Sequence, residues 1–338
     1  MTDHAGDTSL PAPKKTRASR FRKIRRRLIW LLVLGFVTAN VFAIIQSRAM
    51  TQFTGTGVRT LAPEHLSHWQ KIKVLFCGVD VPRPVNKTDP SSLGLEFETL
   101  RFSTIDHLTL EAWRIPTAHP KGAMLLFHGY SGHKSDMLSH AALLHEMGFD
   151  VVMVDFRGCG GSDGNYTTLG MREGDDVAAA ASFVQKNWPS EPQILYGQSM
   201  GSVAVLRAVG VLHVAPRAVI VECPYDRILS TVSHRFHAMG LPAFPLAHML
   251  IFWGGVQRGY WPFQLDAVQY AADIRCPVLY LRGEHDPYVT NEEAHAVFDV
   301  LGGPKHYLEI TGAGHESYPA ANPVQWRQSV TDFVDGLP

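Results

Sequence analysis

The stretch ILYGQSMGSVAVLRAV, residues 194–209, decides the fold of this 338-residue chain. Gly197 and Gly201 flank Ser199, between a short apolar run and a run with helical spacing. A sharp strand-to-helix turn can hold such a serine in strained backbone geometry, and glycines on both sides avoid steric clashes. The stretch therefore predicts a nucleophile elbow, with the first amides of the following helix favouring negative charge at the serine.

Strand and helix patterns alternate on both sides of this turn. Two alternating segments joined at residues 104–107 predict a hairpin, and short apolar runs predict buried strands further along the chain. The predicted strands are 95–103, 108–116, 122–129, 150–158, 193–199, 217–224, 276–286 and 306–314, and the predicted helices are 137–148, 173–188, 200–212, 291–302 and 323–337. This order predicts an α/β fold, with a mostly parallel sheet and helices on both faces.

A serine hydroxyl needs a neighbouring base before it attacks a carbonyl. In this arrangement the chain order is serine, then acid, then histidine. Asp286 follows one predicted strand in LRGEHDPYVT, and His315 follows the last one in ITGAGHESY. Alone, each is an ordinary residue type for a turn or a surface. Together they predict Ser199 as the nucleophile, His315 as general base and then acid, and Asp286 as the group that orients the imidazole.

Other carboxylates compete for the role of the acid. Glu222 and Asp226 follow the strand at 217–224, and Glu284 lies two residues before Asp286, beside His285. The G-x-x-D spacing after the strand favours Asp286 among them.

Two backbone amides are the predicted oxyanion hole, which needs two donors aimed at the developing negative oxygen. The amide of Met200 follows the nucleophile directly. The amide of Tyr130 lies in the loop after the strand at 122–129. A glycine-rich turn without such a role is the alternative for that loop.

Residues 227–265 interrupt the alternation of strands and helices and are rich in aromatic residues, glycine and proline. They predict a helical cap over the carboxyl edge of the sheet. Phe252 and Trp253 are the predicted substrate-binding residues, which favours an apolar acyl group. The alternative is that the aromatic rings only pack the cap onto the core.

With these motifs in place, the chain resembles the α/β-hydrolase superfamily. FHGYSG, DFRGCGGSDG, GQSMGS, RGEHDPYV and GAGHES are similar to its landmarks, in its order, over about residues 95–337. The resemblance is nearest to membrane-anchored bacterial hydrolases of the lysophospholipase and monoacylglycerol-lipase-like branch. It implies metal-independent hydrolysis of esters, thioesters or amides, with the nucleophile, acid and base at Ser199, Asp286 and His315. Ser202 stands where many lipases have a second glycine, so lipase specificity does not follow.

The N-terminal region predicts a membrane anchor. Residues 1–27 hold nine Lys or Arg against two Asp, and residues 28–45 carry no charge. Eighteen such residues approach the length needed to cross roughly 30 Å of hydrocarbon, and the basic arm predicts a cytoplasmic N-terminus. The catalytic domain, residues 93–338, is then extracytoplasmic, after a stalk or lead-in at 46–92. A cleaved signal peptide is the alternative.

Composition limits the remaining choices. The chain holds four widely spaced cysteines and no C-x-x-C, which argues against a zinc site. Buried, unpaired cysteines are the default expectation, although an exported domain could form disulfides. The uneven charge favours targeting over nucleic-acid binding. We therefore predict no metal, no cofactor and no nucleic-acid partner.

The sequence as a whole predicts a single-pass serine hydrolase that cleaves a small-molecule or lipid-like acyl ester through an acyl-enzyme. A peptidase, amidase or thioesterase on the same residues remains open. A non-catalytic binding protein with this fold is the remaining alternative.

Overall fold

An eight-stranded sheet runs through the computed structural model, which describes residues 17–55, 57–61 and 65–338. The strands occur along the sheet in the order β1-β2-β4-β3-β5-β6-β7-β8. Their bounds are β1 Glu98–Ser103, β2 Thr109–Ile115, β3 Ala123–Phe127, β4 Asp150–Val154, β5 Gln193–Gln198, β6 Ala218–Glu222, β7 Val278–Gly283 and β8 Lys305–Ile310.

The first two strands form the predicted hairpin, and the other six run parallel. β1 pairs antiparallel with β2, and β2 pairs antiparallel with β4. From β4 to β8 every neighbouring pair is parallel. The predicted α/β-hydrolase fold is thereby confirmed, and the carboxyl ends of the six parallel strands meet at one edge.

Burial explains why the central strands are continuous apolar runs. Every residue of β3, β4, β6 and β7 is buried, since helices cover both faces of the sheet. The strands at the two ends of the sheet, β1 and β8, expose several side chains. Polar residues are therefore tolerated at the edges and excluded from the centre.

Helices fill the connections between the strands. In the described residues they are α1 Arg17–Thr51, α2 His68–Cys77, α3 Leu138–Glu146, α4 Glu173–Asn187, α5 Met200–Gly210, α6 Ile228–Ala238, α7 Leu246–Arg258, α8 Ala267–Ala272, α9 Asn291–Phe298, α10 Tyr318–Ala321 and α11 Pro323–Asp335. On one side of the sheet α4 packs against α5, α5 against α8, and α8 against α9. In a second group α10 packs against both α3 and α11. The sequence did not predict α2, α8 or α10, which are short.

The predicted cap is the segment that carries α6 and α7. Its two ends are fastened together, because Arg227 and Asp266 form an isolated antiparallel bridge. The Arg227 Nε atom also lies 3.1 Å from Asp266 Oδ2. The Ala267 amide donates to the Asp226 carbonyl at 2.7 Å. The insertion therefore leaves and re-enters the hydrolase domain at one point, between β6 and β7.

The chain divides into two compact units at Phe42 and Ala43. The first contains most of α1, whose side chains are largely exposed; Leu32, for example, is 73% exposed. By length and composition, residues 21–51 are apolar enough to cross a membrane, with a mean hydropathy of 2.5 in the most apolar window. Residues 1–16 of the predicted basic arm lie outside the described residues.

The second unit includes most of the segment predicted as a stalk or lead-in. Phe53 and Val81 pack with Cys159 in a small buried cluster. The Phe53 amide donates to the Asn165 carbonyl at 2.8 Å. Asn86 Nδ2 donates to Asp155 Oδ2 at 2.8 Å. These parts of residues 46–92 therefore pack against the hydrolase domain and do not stand away from it as a stalk.

The turn at 155–164, in DFRGCGGSDG, is structural. A Cβ atom on Gly160 would lie 1.8 Å from the Asp155 carboxylate, so this position admits only glycine. Lys134 is fully buried, and its ammonium contacts both Asp155 and Glu111. The turn is thus built around a buried ion cluster that joins β2, β4 and the loop after β3.

All four cysteines are unpaired. Cys159 and Cys223 are buried, as expected for small apolar residues, whereas Cys276 is only partly buried. Cys77 is exposed, which corrects the expectation of burial for that residue, because it ends α2 on the outside of the second unit.

Candidate active site

Ser199 lies at the turn between β5 and α5, at the carboxyl edge of the sheet. Its backbone is in the left-handed region, with φ of 52° and ψ of −115°. The Ser199 amide donates to the Glu222 carbonyl at 2.8 Å, which fastens the turn to β6. This strained conformation is the geometry that the sequence predicted for a nucleophile elbow.

The two flanking glycines are required by close backbone contacts. A Cβ atom on Gly197 would lie 2.5 Å from the Ser202 amide nitrogen. A Cβ atom on Gly201 would lie 2.2 Å from the Phe127 carbonyl oxygen, on neighbouring β3. Both contacts are with backbone, which cannot swing away, so glycine is what lets α5 start this close to the sheet.

The Ser202 side chain stabilises the same turn with hydrogen bonds. Its buried hydroxyl lies 2.6 Å from the Gly197 carbonyl oxygen and 2.7 Å from the Glu222 carbonyl oxygen. The hydroxyl therefore ties α5 to the ends of both β5 and β6. Ser202, which stands where many lipases have a second glycine, therefore stabilises this turn.

His315 and Asp286 reach Ser199 from the loops after β8 and β7. His315 Nε2 lies 2.9 Å from Ser199 Oγ, and His315 Nδ1 lies 2.8 Å from Asp286 Oδ2. The other Asp286 oxygen accepts hydrogen bonds from the amides of Tyr288 at 2.8 Å and Val289 at 3.0 Å. The structure thus brings together the three side chains that the sequence selected, in the order that activates a serine.

The rival acids after β6 point elsewhere. Glu222 is fully buried, 3.2 Å from His140 Nε2 and 3.0 Å from Trp326 Nε1. Asp226 lies beside Arg227, 3.1 Å from its guanidinium. Neither has a hydrogen bond to His315 within the described residues, so both belong to structural networks around the site.

The neighbours of Asp286 in the chain are also turned away. Glu284 accepts a hydrogen bond from the Gly312 amide at 2.9 Å. The His285 side chain is 70% exposed. Of the acidic residues considered from sequence, Asp286 alone contacts the imidazole.

Cys223 is a residue of this site that the sequence analysis did not select. It follows β6 directly, is buried, and has a φ of 40°. Its Sγ atom lies within 4.8 Å of ligand atoms of both Asp286 and His315. The available signal was its position after a strand at the carboxyl edge, in VECP.

The surroundings of His315 favour its charged form. Burial disfavours charge on the imidazole, but the adjacent Cys223 and the hydrogen bond to Asp286 outweigh it and raise the pKa of His315. A raised pKa suits a group that must hold a proton taken from serine. Only the neutral imidazole of His315 can accept the serine proton, and this form becomes more abundant as pH rises through the raised pKa.

One trio could supply ligands to a metal. Cys223, Asp286 and His315 are the only set of this kind among the residues that the structure describes. Both His315 nitrogens and both Asp286 oxygens already take part in hydrogen bonds. A cation here would have to displace the contacts that position Ser199.

The two predicted oxyanion donors are in the residue after Ser199 and in the loop after β3. The loop after β3 approaches closely, since a Cβ atom on Gly129 would lie 3.5 Å from Ser199 Cβ. His128 holds that loop, because its Nε2 accepts the Phe156 amide at 3.1 Å and its Nδ1 donates to the Gly129 carbonyl at 2.8 Å. Within the described residues, neither the Tyr130 nor the Met200 amide donates to another group. Both remain available to a ligand.

A largely apolar cavity opens at Ser199. Its walls come from the loop after β3, the end of α1, the loop before α4 and the cap helix α6. The lining residues are Met50, Tyr130, Leu169, Ser199, Met200, Tyr225, Ile228, Thr231, Val232 and Arg235. Arg235 is the one charged residue among them.

Phe252 and Trp253 do not line this cavity, contrary to the expectation from sequence. Both are on α7, where their rings stack edge to face with centroids 5.3 Å apart, and Phe252 also contacts Trp261. The helix that faces Ser199 is α6, because the chain enters the cap there, directly after β6. The aromatic residues of α7 therefore form a cluster on the cap.

Two comparisons with known sequences concern the hydrolase domain. The family profile described as "Serine aminopeptidase, S33" matches residues 118–247. A protein of Escherichia coli O157:H7, "Uncharacterized protein YfhR", is 30% identical in an alignment of 282 residues that covers 77% of this chain and 91% of that protein.

Two solved structures have the same fold. An esterase of Pyrococcus furiosus, Pf2001, gives a TM-score of 0.64 at 22% identity, covering 75% of this chain and 96% of its own. A membrane phospholipase A described as a bacterial virulence factor gives a TM-score of 0.52 at 16% identity, covering 73% and 92%. At these identities the likeness concerns the fold alone.

Proposed function

The chain belongs to the α/β-hydrolase family of serine hydrolases that includes the protein YfhR, and we propose that it is a membrane-anchored enzyme that cleaves acyl esters through Ser199, His315 and Asp286. The observation that carries the proposal is the unbroken chain of contacts at 2.9 Å and 2.8 Å from Ser199 Oγ through the imidazole to the Asp286 carboxylate.

In the proposed reaction, His315 Nε2 takes the proton from Ser199 Oγ as that oxygen attacks the ester carbonyl. Asp286 holds Nδ1 as the donor, which leaves Nε2 free to accept, and it stabilises the imidazolium that forms. The imidazolium then protonates the leaving alcohol, and the acyl group stays on Ser199. Water, activated by the same imidazole, releases the acid and restores the serine.

The amides of Tyr130 and Met200 are the proposed donors to the oxyanion. The Tyr130 amide is in the loop after β3, and the Met200 amide is at the start of α5, where the helix adds the positive end of its dipole. Removing one such donor typically costs about 100- to 1,000-fold in kcat. This arrangement stabilises any tetrahedral oxyanion, so it supports acyl transfer without choosing between esters and amides.

The cavity favours an ester over the N-terminal peptide bond of an aminopeptidase substrate. Such a substrate carries an ammonium group next to the scissile carbonyl, and binding it calls for a carboxylate. None of the residues that line the cavity is acidic, and Arg235 is cationic. An apolar acyl group, in contrast, would gain about 0.8 kcal/mol for each methylene that it buries there.

Membrane anchoring is supported by α1 and by the helix that follows it. Residues 21–51 meet the length and hydropathy of a membrane span. In the second unit, Gln46 Nε2 donates to the Val74 carbonyl of α2 at 2.9 Å. On α2, Trp69 is 80% exposed and Phe76 is 74% exposed. Exposed aromatic residues next to an apolar helix are typical of the membrane interface. We propose a cytoplasmic basic arm and an extracytoplasmic hydrolase domain.

A fluorophosphonate probe tests the chemistry, because it labels only an activated serine. The full chain in detergent should be labelled, and Ser199→Ala should abolish labelling and lower p-nitrophenyl ester turnover by several orders of magnitude. Ser329→Ala is the matched control, since it removes a serine hydroxyl that donates to the Gln325 carbonyl within α11, outside the turn at Ser199, and it should leave labelling of Ser199 in place. Labelling that persists in Ser199→Ala would refute the assignment of the nucleophile.

A second panel tests the substrate class. p-Nitrophenyl esters from acetyl to octanoyl should be cleaved, with kcat/KM rising by at most a few-fold per methylene. Aminoacyl anilides should be poor substrates. Faster cleavage of the anilides would assign the enzyme to the peptidases.

Protease treatment of spheroplasts tests the topology. The domain should be digested and the arm at residues 1–27 protected. A soluble mature form that begins near residue 50 would instead identify α1 as a cleaved signal sequence.

A further inference from the structure

Three residues around the imidazole of the proposed triad carry the donor atoms of a transition-metal site. Cys223 Sγ, a carboxylate oxygen of Asp286 and a ring nitrogen of His315 all lie within 4.8 Å of one another. These residues follow β6, β7 and β8, three neighbouring strands whose carboxyl ends meet at one edge of the sheet. They are far apart along the chain, so the lack of a short motif such as C-x-x-C does not bear on them.

The separations are close to those around a bound zinc ion. In a tetrahedral site the Zn–S bond is about 2.3 Å long, and Zn–N and Zn–O bonds are about 2.0–2.2 Å long. Ligand atoms on one such ion are therefore about 3.4–3.6 Å apart. Atoms that already lie within 4.8 Å of one another reach this geometry with shifts of about 1 Å. Small rotations of the three side chains are enough for that.

The donor types select zinc among the common divalent ions. A thiolate, an imidazole and a carboxylate are ligands of Zn²⁺, whereas Mg²⁺ and Ca²⁺ prefer oxygen ligands alone. Cys223 is 1% exposed, and the Asp286 side chain is fully buried. A buried ion of charge +2 is compensated there by the carboxylate and by the thiolate. The thiol releases its proton to solvent when the ion binds.

One imidazole nitrogen is suited to share an ion with Asp286. His315 Nδ1 lies 2.8 Å from Asp286 Oδ2, whereas Nε2 is directed at Ser199 Oγ, 2.9 Å away. An ion on Nδ1 replaces the hydrogen bond to Asp286, and the proton of the neutral imidazole moves to Nε2. That N–H then points at Ser199 Oγ, so the imidazole can no longer accept the serine proton.

The surroundings of the three ligands also suit an ion. The Tyr318 hydroxyl is fully buried and has no hydrogen-bond partner of good geometry within the described part of the chain. It lies near Cys223 and Asp286, both of which act on it electrostatically. Its oxygen is therefore available to a water molecule on a bound ion. The His315 side chain is 21% exposed, which gives an ion a route from solvent.

We propose that Cys223, Asp286 and His315 Nδ1 form an inhibitory zinc site, and that Zn²⁺ bound there inactivates the enzyme reversibly. The proposal rests on the proposed function, since it concerns the regulation of the same site. Zinc and the serine compete for the protonation state of one imidazole, so the ion is an inhibitor and not a cofactor.

Inhibition by metal ions is the first test. The full chain in detergent is treated with a chelator and then given increasing concentrations of Zn²⁺, while turnover of p-nitrophenyl acetate is measured. Zn²⁺ should abolish turnover, because the base is lost, and EDTA should restore it. Mg²⁺ at the same concentrations should leave turnover unchanged, because that ion prefers oxygen ligands. A wild type that Zn²⁺ does not inhibit would overturn the proposal.

Replacement of Cys223 tests the position of the ion. In Cys223→Ala the Zn²⁺ concentration for half-inhibition should rise by at least about 10- to 100-fold, since losing even a residue that only supports a metal ligand lowers affinity by that factor. Cys223→Ser should behave alike, because a hydroxyl is a poor zinc ligand, and it serves if the alanine variant does not fold. Each variant is compared with its own turnover without added metal, so a change in basal activity does not enter.

Cys77→Ala is the matched control, because it makes the same change at an exposed thiol at the end of α2. It should leave the Zn²⁺ concentration for half-inhibition unchanged. Two results would place the inhibitory ion elsewhere and overturn the proposal. One is equal inhibition of the wild type and Cys223→Ala. The other is an increase in Cys77→Ala as large as that in Cys223→Ala.

Cobalt provides a readout that does not depend on turnover. Co²⁺ occupies sites with nitrogen and sulfur ligands, and bound to a thiolate it absorbs in the near ultraviolet. Ser199→Ala keeps all three proposed ligands and should develop this absorption on addition of Co²⁺. The same variant with Cys223→Ala added should not. Absence of the absorption in Ser199→Ala would overturn the proposal.

The proposed function and the zinc site fail separately. If Ser199→Ala still cleaves p-nitrophenyl esters, the assignment of the nucleophile is wrong, whatever ion binds. If Ser199 is the nucleophile but neither the inhibition nor the cobalt absorption depends on Cys223, only the zinc site is wrong.

Discussion

The replacement Asp286→Asn tests the orientation of His315 with little change in shape. One Asp286 oxygen accepts two backbone amides, from Tyr288 and Val289, and the other accepts His315 Nδ1–H. The introduced amide has one oxygen, and the two backbone donors will hold it. Its NH2 group then faces His315 Nδ1.

Energies decide which way the introduced amide points. Turning it around would set its NH2 group against two backbone N–H groups at a position with a fully buried side chain. Each unsatisfied donor would cost about 1–3 kcal/mol, so about 2–6 kcal/mol in total. The imidazole adapts instead, by moving its proton to Nε2. That proton points at Ser199 Oγ, and the base can no longer accept.

Loss of the correct tautomer is expected to lower kcat by about 10,000-fold, which is about 5.5 kcal/mol in the activation barrier. The melting temperature should change by only a few degrees, because the two backbone hydrogen bonds remain. Turnover of a p-nitrophenyl ester and the rate of fluorophosphonate labelling measure the first effect, and thermal unfolding measures the second.

Asp226→Asn makes the same chemical change at a rival carboxylate and is the matched control. It should alter turnover only a few-fold, since Asp226 pairs with Arg227, whereas the imidazole is hydrogen-bonded to Asp286 and Ser199. The reasoning is refuted if Asp286→Asn keeps more than about a tenth of the activity while Asp226→Asn loses nearly all of it.

Two further predictions concern the same site. Because the pKa of His315 is raised and only the neutral imidazole acts as a base, kcat/KM should rise with pH through a midpoint above 6.5. Cys223→Ala should lower that midpoint. An unchanged pH profile in this variant would show that Cys223 does not raise the pKa of His315. Gly201→Ala would bring a Cβ atom to 2.2 Å from the Phe127 carbonyl oxygen, so it should lower turnover at least 100-fold and reduce the melting temperature. Normal activity in that variant would contradict the close contact.

The sequence by itself determined the features that depend on residues close to one another along the chain. The elbow at Ser199 is predictable because a strand pattern, two glycines and a helix pattern are contiguous, and these local preferences agree with one another. The buried strands are predictable because continuous apolar runs are stable only between two layers of helices. The order of Ser199, Asp286 and His315 could be selected because each follows a strand that ends at the same edge of the sheet.

Only the tertiary structure decided which distant residues meet at that edge. Cys223 lies near His315, and Met50 enters the cavity wall 149 positions before Ser199, and no local pattern encodes either contact. Sequence reasoning chose the aromatic residues of α7 for the substrate, whereas the entry of the cap directly after β6 turns α6 toward the serine. The physical reason is that side-chain packing between separate elements fixes these contacts, while hydrophobic periodicity reports only which face of one element is buried.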